Sequence, residues 1–196
     1  MRHWIEINRA PVLTLWAAVV ATRLGFEWEE ALTLGRAVAG HNAYSKGKAL
    51  GLFEPTPEAI KEKRRQLRRE KGAFSIDLLN RKVPAVHTEA GIRALQKDQP
   101  TNPASVMNYL TCAFGDVLDD ARDAMASLAG AHEPQELASI AYRLYEEFRP
   151  AIPSGVRGWG AKGRLDLDHI RAMAGNVGCR VDSISVIIWL LAMARP

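Results

Sequence analysis

The chain has 196 residues, 47% of them hydrophobic and 24% charged, the composition of an ordinary globular protein with length enough for one sizeable core or two small ones. Cys112 and Cys179, its two cysteines, lie far apart without C-x-x-C spacing, which signals neither a zinc site nor a disulfide framework and fits a reducing compartment, the cytoplasm. Net charge is only +4, but the seven cations between Lys61 and Lys71 face two carboxylates there, so that segment carries +5 and the rest of the chain about −1.

The chain opens with Arg2 and Arg9 ahead of an apolar stretch over residues 12–21, loosely the layout of a signal peptide. Glu6, Asn8 and Pro11 interrupt that pattern, and the segment runs on through Arg23 with no small-x-small cleavage site. It predicts a buried helix over residues 11–24, with Val12, Leu15, Trp16, Val19 and Val20 at helical spacing and Gly25 at the C-terminal cap. A second helix is predicted over residues 27–43, its apolar side formed by Leu32, Leu34 and Val38, with Gly35 and Gly40 allowing close packing.

Thr56-Pro57-Glu58 starts a charged helix that runs to Lys71 with only Ile60 and Leu67 to offer a core. Alternation of Phe74, Ile76 and Leu78, then Asn80-Arg81 ahead of Val83 and Val86, predicts a small β-hairpin over residues 74–86. Asn102-Pro103 opens a helix to Phe114, Asp116 is expected to cap the next one to Leu128, and Pro134 opens a fourth with Leu137, Ile140, Ala141, Leu144, Tyr145 and Phe148 on one stripe. After a Pro- and Gly-rich loop over residues 149–163, Asp166 starts a last clear helix to Ala174. The apolar run over residues 186–194 is well short of the roughly 20 residues of a membrane span and reads as core or interface. The expected fold is therefore mainly α, a multi-helix globular protein with one small β-hairpin. Its expected organisation is an N-terminal helical unit (residues 1–54), a charged connector helix (55–73), and a hairpin plus helical unit (74–196).

Four stretches have chemistry to weigh. The first turn resembles a helix-turn-helix: Ala21, Gly25 and Ala31 follow Ala17 where that motif wants small or turn-forming residues, and Leu24 and Leu34 supply packing. Glu29 and Glu30, however, occupy the start of the second helix, where they repel phosphate, so a structural helical corner is the stronger reading.

In the charged helix, Lys61, Arg65 and Arg68 lie at i, i+4 and i+7 with Arg69 beside them, a spacing that can track phosphates. Glu58 and Glu62 can instead pair with Lys61 and Arg65, and no aromatics are interleaved for base stacking. The loop around Gly155 to Arg164 offers glycines that let backbone amides approach an anion, Arg157, Lys162 and Arg164 to neutralise it, and Trp159 to stack or to anchor the loop in a core. It is not a P-loop, because Ala161 stands where the lysine is required.

Asp116, Asp119, Asp120 and Asp123 fall on one arc of a helix, and Asp119 to Asp123 spells D-D-x-x-D, which over five residues resembles the aspartate-rich motif of isoprenoid synthases. That resemblance implies Mg²⁺ on a diphosphate. With Val117, Leu118, Ala121, Met125 and Leu128 opposite them, the aspartates also read as the wet face of an amphipathic helix. No H-E-x-x-H, G-x-S-x-G or catalytic triad is present.

The function expected is that of a nucleic-acid-binding or regulatory helical protein contacting the nucleic-acid backbone through its basic helix. The alternatives are a metal-dependent enzyme on a phosphorylated small molecule, or an interaction module that forms a homo-oligomer through the apolar tail over residues 184–191.

Overall fold

Asn8 sets the start of the central helix. The computed structural model, which describes residues 4–152 and 161–176, shows its side-chain oxygen accepting from the Ala10 N–H at 2.8 Å and so capping α1 (Arg9–Arg23). Every residue from Pro11 to Ala21 is buried, so α1 is enclosed on all sides rather than amphipathic. Trp16 donates its indole N–H to the Ala141 carbonyl at 2.8 Å and meets the Phe148 ring edge-on with centroids 5.3 Å apart.

Gly25, at φ 101°, makes the turn into α2 (Trp28–Ala49), which continues past the predicted end at residue 43. The two helices touch backbone to backbone at Gly35, where a Cβ would lie 2.3 Å from the Thr14 carbonyl oxygen and 2.9 Å from the Ala18 nitrogen. α3 (Glu58–Glu70) follows as the predicted charged helix and contains no buried residue.

The sheet content is larger than one hairpin. β2 (Phe74–Leu78), β3 (Arg81–Thr88), β4 (Gly91–Gln96) and β5 (Gln99–Pro100) form an antiparallel sheet in that order. Tight turns with positive φ at both central residues join β2 to β3 (Leu79, Asn80) and β4 to β5 (Lys97, Asp98), the geometry whose twist suits two-residue hairpins. β4 gives no alternating signal because Arg93, Ala94 and Leu95 are all buried. A second sheet pairs β1 (Trp4–Asn8) with β6 (Lys162–Asp166), Trp4 opposite Asp166 and Asn8 opposite Lys162. Its two short strands come from opposite ends of the described chain, so no local pattern announces their pairing.

The remaining helices fall close to expectation. Asn102 caps α4 (Pro103–Phe114) by accepting from the Ala104 N–H at 2.9 Å. Asp116 caps nothing: it lies in a 3-10 turn (Gly115–Val117) between α4 and α5 (Leu118–Gly130), a tighter passage that the glycine at φ 60° initiates. α6 (Pro134–Phe148) buries Leu137, Ala141, Leu144, Tyr145 and Phe148, as its stripe predicts. Asp166 caps the helix over residues 167–176, accepting from the N–H groups of Asp168 and His169 at 3.1 Å each.

One contiguous core runs from Ile7 to Ile170 and takes in Leu78, Val83 and Ala94 of the four-stranded sheet and Leu79 of its first turn. The protein is mainly α, and among the described residues no helix is long and apolar enough to cross a membrane. Arg157, Trp159, Cys179 and the apolar tail over residues 184–191 lie outside the described residues.

Candidate nucleic-acid interface

The start of α2 is committed to the sheet. Glu30 accepts from the Ile92 N–H at 2.7 Å and Thr33 Oγ1 accepts from the Ala94 N–H at 3.1 Å, so α2 side chains satisfy backbone donors of β4 that no strand reaches. Glu29 holds the guanidinium of buried Arg93 at 2.7 Å. The helix that a helix-turn-helix would insert into a groove is thus packed against β4 over its first turns, with Ala31, Leu32, Thr33 and Leu34 buried. Its carboxylates are sheet ligands, a role beyond the phosphate repulsion read from the sequence.

Among the described residues, the ion pairs that tie α3 to the rest of the protein all run to one carboxylate. Asp98, in the β4–β5 turn and only 14% exposed, takes the Arg68 Nε at 2.7 Å and Arg64 at 3.6 Å, while its backbone carbonyl accepts from Lys71 Nζ at 2.6 Å. Arg64, Arg68 and Lys71 therefore face the sheet. A second row, Lys61, Arg65 and Arg69, recurs every four residues on an adjacent arc. As the spacing allows, Lys61 pairs with Glu58 at 2.9 Å and Arg65 with Glu62 at 3.0 Å, all four side chains about half exposed or more. Exposed pairs of this kind contribute little to stability and are readily exchanged for another anion. Arg69 and Lys63 have no ion-pair partner among the described residues.

The second half of α2 lies within electrostatic reach of α3. Arg68 of α3 and Arg81 of β3 both bear on His41: burial of the imidazole, then the two guanidinium charges, hold its pKa below the usual histidine value. Arg81 is itself seated, donating to Asn42 Oδ1 at 3.3 Å with its guanidinium 5.9 Å from the Tyr142 ring centre. One turn along from His41, the Tyr44 hydroxyl shares a 3.1 Å hydrogen bond with Thr56 Oγ1. That bond, with the charges of Lys48 and Lys61, lowers the phenol's pKa. His41 and Tyr44 thus make a strip on α2, with Lys48 and with Arg81 of β3, that feels the charges of Arg68 and Lys61. Sequence reading missed this strip, because its members come from a helix expected to end before Tyr44 and from a strand remote in sequence. The signal available was the polar composition of residues 40–49, too hydrophilic for a core helix.

The other predicted positions lie elsewhere. Lys162 and Arg164 are exposed on β6, and among the described residues no hydrogen bond or ion pair joins them to α3; Arg164 sits 5.0 Å from the Trp4 ring centre and 3.4 Å from Asp166. Asp119 and Asp123 are largely exposed and lean on Arg122, at 3.2 and 3.8 Å, while Asp116 and Asp120 have no ion-pair partner among the described residues. Among the described residues no group of three or more histidine, cysteine or acidic side chains is placed to hold a metal ion. Arg122 also lines a cleft of about 390 Å³ with Arg23, Trp28, Thr22 and the apolar side chains of Val19, Ala126 and Ala129. Its lining contains two cations and no carboxylate, which does not suit a divalent cation.

No protein-family model matches the chain, and comparison with curated proteins and with solved structures likewise gives no match.

Proposed function

We propose that this protein binds nucleic acid through the phosphate backbone, without strong sequence preference, using the cations of α3. The observation that carries the reading is that α3 buries none of its residues yet concentrates Lys61, Lys63, Arg64, Arg65, Arg68 and Arg69 in 13 positions. Core packing does not account for such a helix, whereas a row of cations at helical repeat complements a polyanion. Lys61 and Arg65 supply phosphate contacts by exchanging weak surface partners, Arg69 supplies one with a guanidinium that has no ion-pair partner among the described residues, and Arg68 orients the helix through Asp98 while adding its charge. Base-specific readout has no support, because the start of α2 is occupied with β4. In keeping with the cysteine usage, the reading places the protein in the cytoplasm.

Fluorescence anisotropy with labelled duplexes of unrelated sequence at low salt tests the reading. Similar affinities for all sequences, and a common loss in a Lys61→Gln/Arg65→Gln/Arg69→Gln variant, are expected. Absence of binding, or binding confined to one sequence, overturns it.

A further inference from the structure

Exposed large apolar side chains are unevenly distributed in this protein. Among the described residues they are Trp4 and then Tyr44, Leu50, Leu52, Phe53, Ile60 and Leu67, all but the first lying between the second half of α2 and the end of α3. Single exposed apolar residues are unremarkable on any surface, but a run of them beside the densest positive charge of the chain calls for a ligand that is both apolar and anionic.

Within that run two rings are ordered together. Tyr44 and Phe53 have centroids 5.9 Å apart and planes inclined by only 15°, and each remains about 40% exposed. The Phe53 ring lies directly over Gly47: a Cβ there would fall 2.3 Å from Phe53 Cδ2. A glycine inside a helix costs stability, and in the last turn of α2 it lets the ring approach the helix where a Cβ would stand. The Tyr44 hydroxyl is fixed by Thr56, and Lys48 Nζ stands 6.0 Å from its ring centre.

We infer that Tyr44 and Phe53 form a base-stacking platform, flanked by Lys48 and Lys61, that makes single-stranded nucleic acid the preferred ligand of the α2–α3 face. The inference rests on the proposed backbone contact by α3 and adds the ligand class. Duplex bases are already stacked inside their helix and offer no face to an aromatic surface, whereas a single strand presents both phosphates and ring faces, and aromatic stacking tolerates any base. An apolar protein partner would match the rings but not the cations around them. A membrane surface would match both, and equal affinity for the thymidylate and abasic strands together with binding to anionic vesicles would mark that alternative.

The test uses the full chain and three labelled probes: an oligothymidylate, an oligonucleotide of the same length with abasic sites throughout, and a duplex. The expected order is oligothymidylate well above the other two. Tyr44→Leu and Phe53→Leu, which keep apolar volume but remove the ring, should each weaken oligothymidylate binding by roughly tenfold and leave duplex and abasic binding unchanged. Tyr44→Trp should retain it. Thermal melting of each variant, expected to match the parent at these exposed sites, separates loss of the platform from loss of fold. Equal affinity for the abasic and thymidylate strands, or no effect of the leucine variants, overturns the platform while leaving the α3 reading intact. Failure of all three probes to bind at low salt overturns both.

Discussion

Arg68 Nε donates to Asp98 Oδ1 at 2.7 Å, and this bond between α3 and the β4–β5 turn fixes where the basic helix lies. Asp98 occupies a left-handed backbone position, φ 64°, which asparagine also accepts readily. Asp98→Asn therefore removes the charge without straining the turn. It should lower stability by only about 1 kcal/mol, and hydrogen exchange should quicken selectively in α3, whose own residues contribute nothing to the core. Uniform quickening across the protein would contradict a local tether.

The α1–α2 contact predicts opposite outcomes for two glycines of one helix. Gly35→Ala drives a methyl into the Thr14 carbonyl and Ala18 nitrogen and should cost about 2–3 kcal/mol in chemical denaturation. Gly40→Ala meets nothing within 4 Å, so the gain in helix propensity should stabilise by up to about 1 kcal/mol. Equal effects at the two positions would show that backbone contact is not what Gly35 provides.

Much of the helical framework is legible in the sequence, because its signals are local. Asn102-Pro103, Pro134 and Asp166 mark helix starts by capping chemistry, and the α6 stripe marks its buried face. What was not legible depends on partners remote in the chain. β4 loses its alternation because it is covered on both sides, β1 and β6 pair across nearly the whole described chain, and Glu29 and Glu30 reveal their role only once β4 lies beside them. For the site, the cations of α3 were visible as composition, but Asp98, His41, Tyr44 and Arg81 join them through the fold.

Glu30 satisfies the edge donor of Ile92, so Glu30→Ala should leave a part-buried N–H without its acceptor and cost about 1–3 kcal/mol. Glu30→Gln keeps an oxygen in reach and should recover most of that loss. Equal melting of the two variants would contradict the edge-capping role.

His41 gives the stability a pH dependence of defined sign. Its folded-state pKa lies below the ordinary value of 6.5, so the unfolded chain binds the proton more tightly. The neutral imidazole's contribution is fully present above about pH 6.5, and it is lost progressively as pH falls from there toward the folded pKa. His41→Gln should flatten the stability–pH curve in that window, measured by urea denaturation. An Arg81→Gln substitution, which removes one of the two neighbouring charges, should raise the His41 pKa in an NMR titration. A His41 pKa at or above 6.5 in the parent would contradict the described surroundings.

The salt dependence of binding tests the central claim most directly, because only phosphate contact releases counterions in proportion to the cations engaged. With Lys61, Arg65 and Arg69 engaged, log affinity for duplex DNA should fall against log salt with a slope of about −3, and for a single strand about −2. In the Lys61→Gln/Arg65→Gln/Arg69→Gln protein the slope should flatten by most of that amount while the folded state keeps its melting temperature to within a few degrees. A parent protein that binds neither form at low salt, or a triple variant that keeps the full slope, would contradict the account and leave α3 a solvated connector tied down by Asp98.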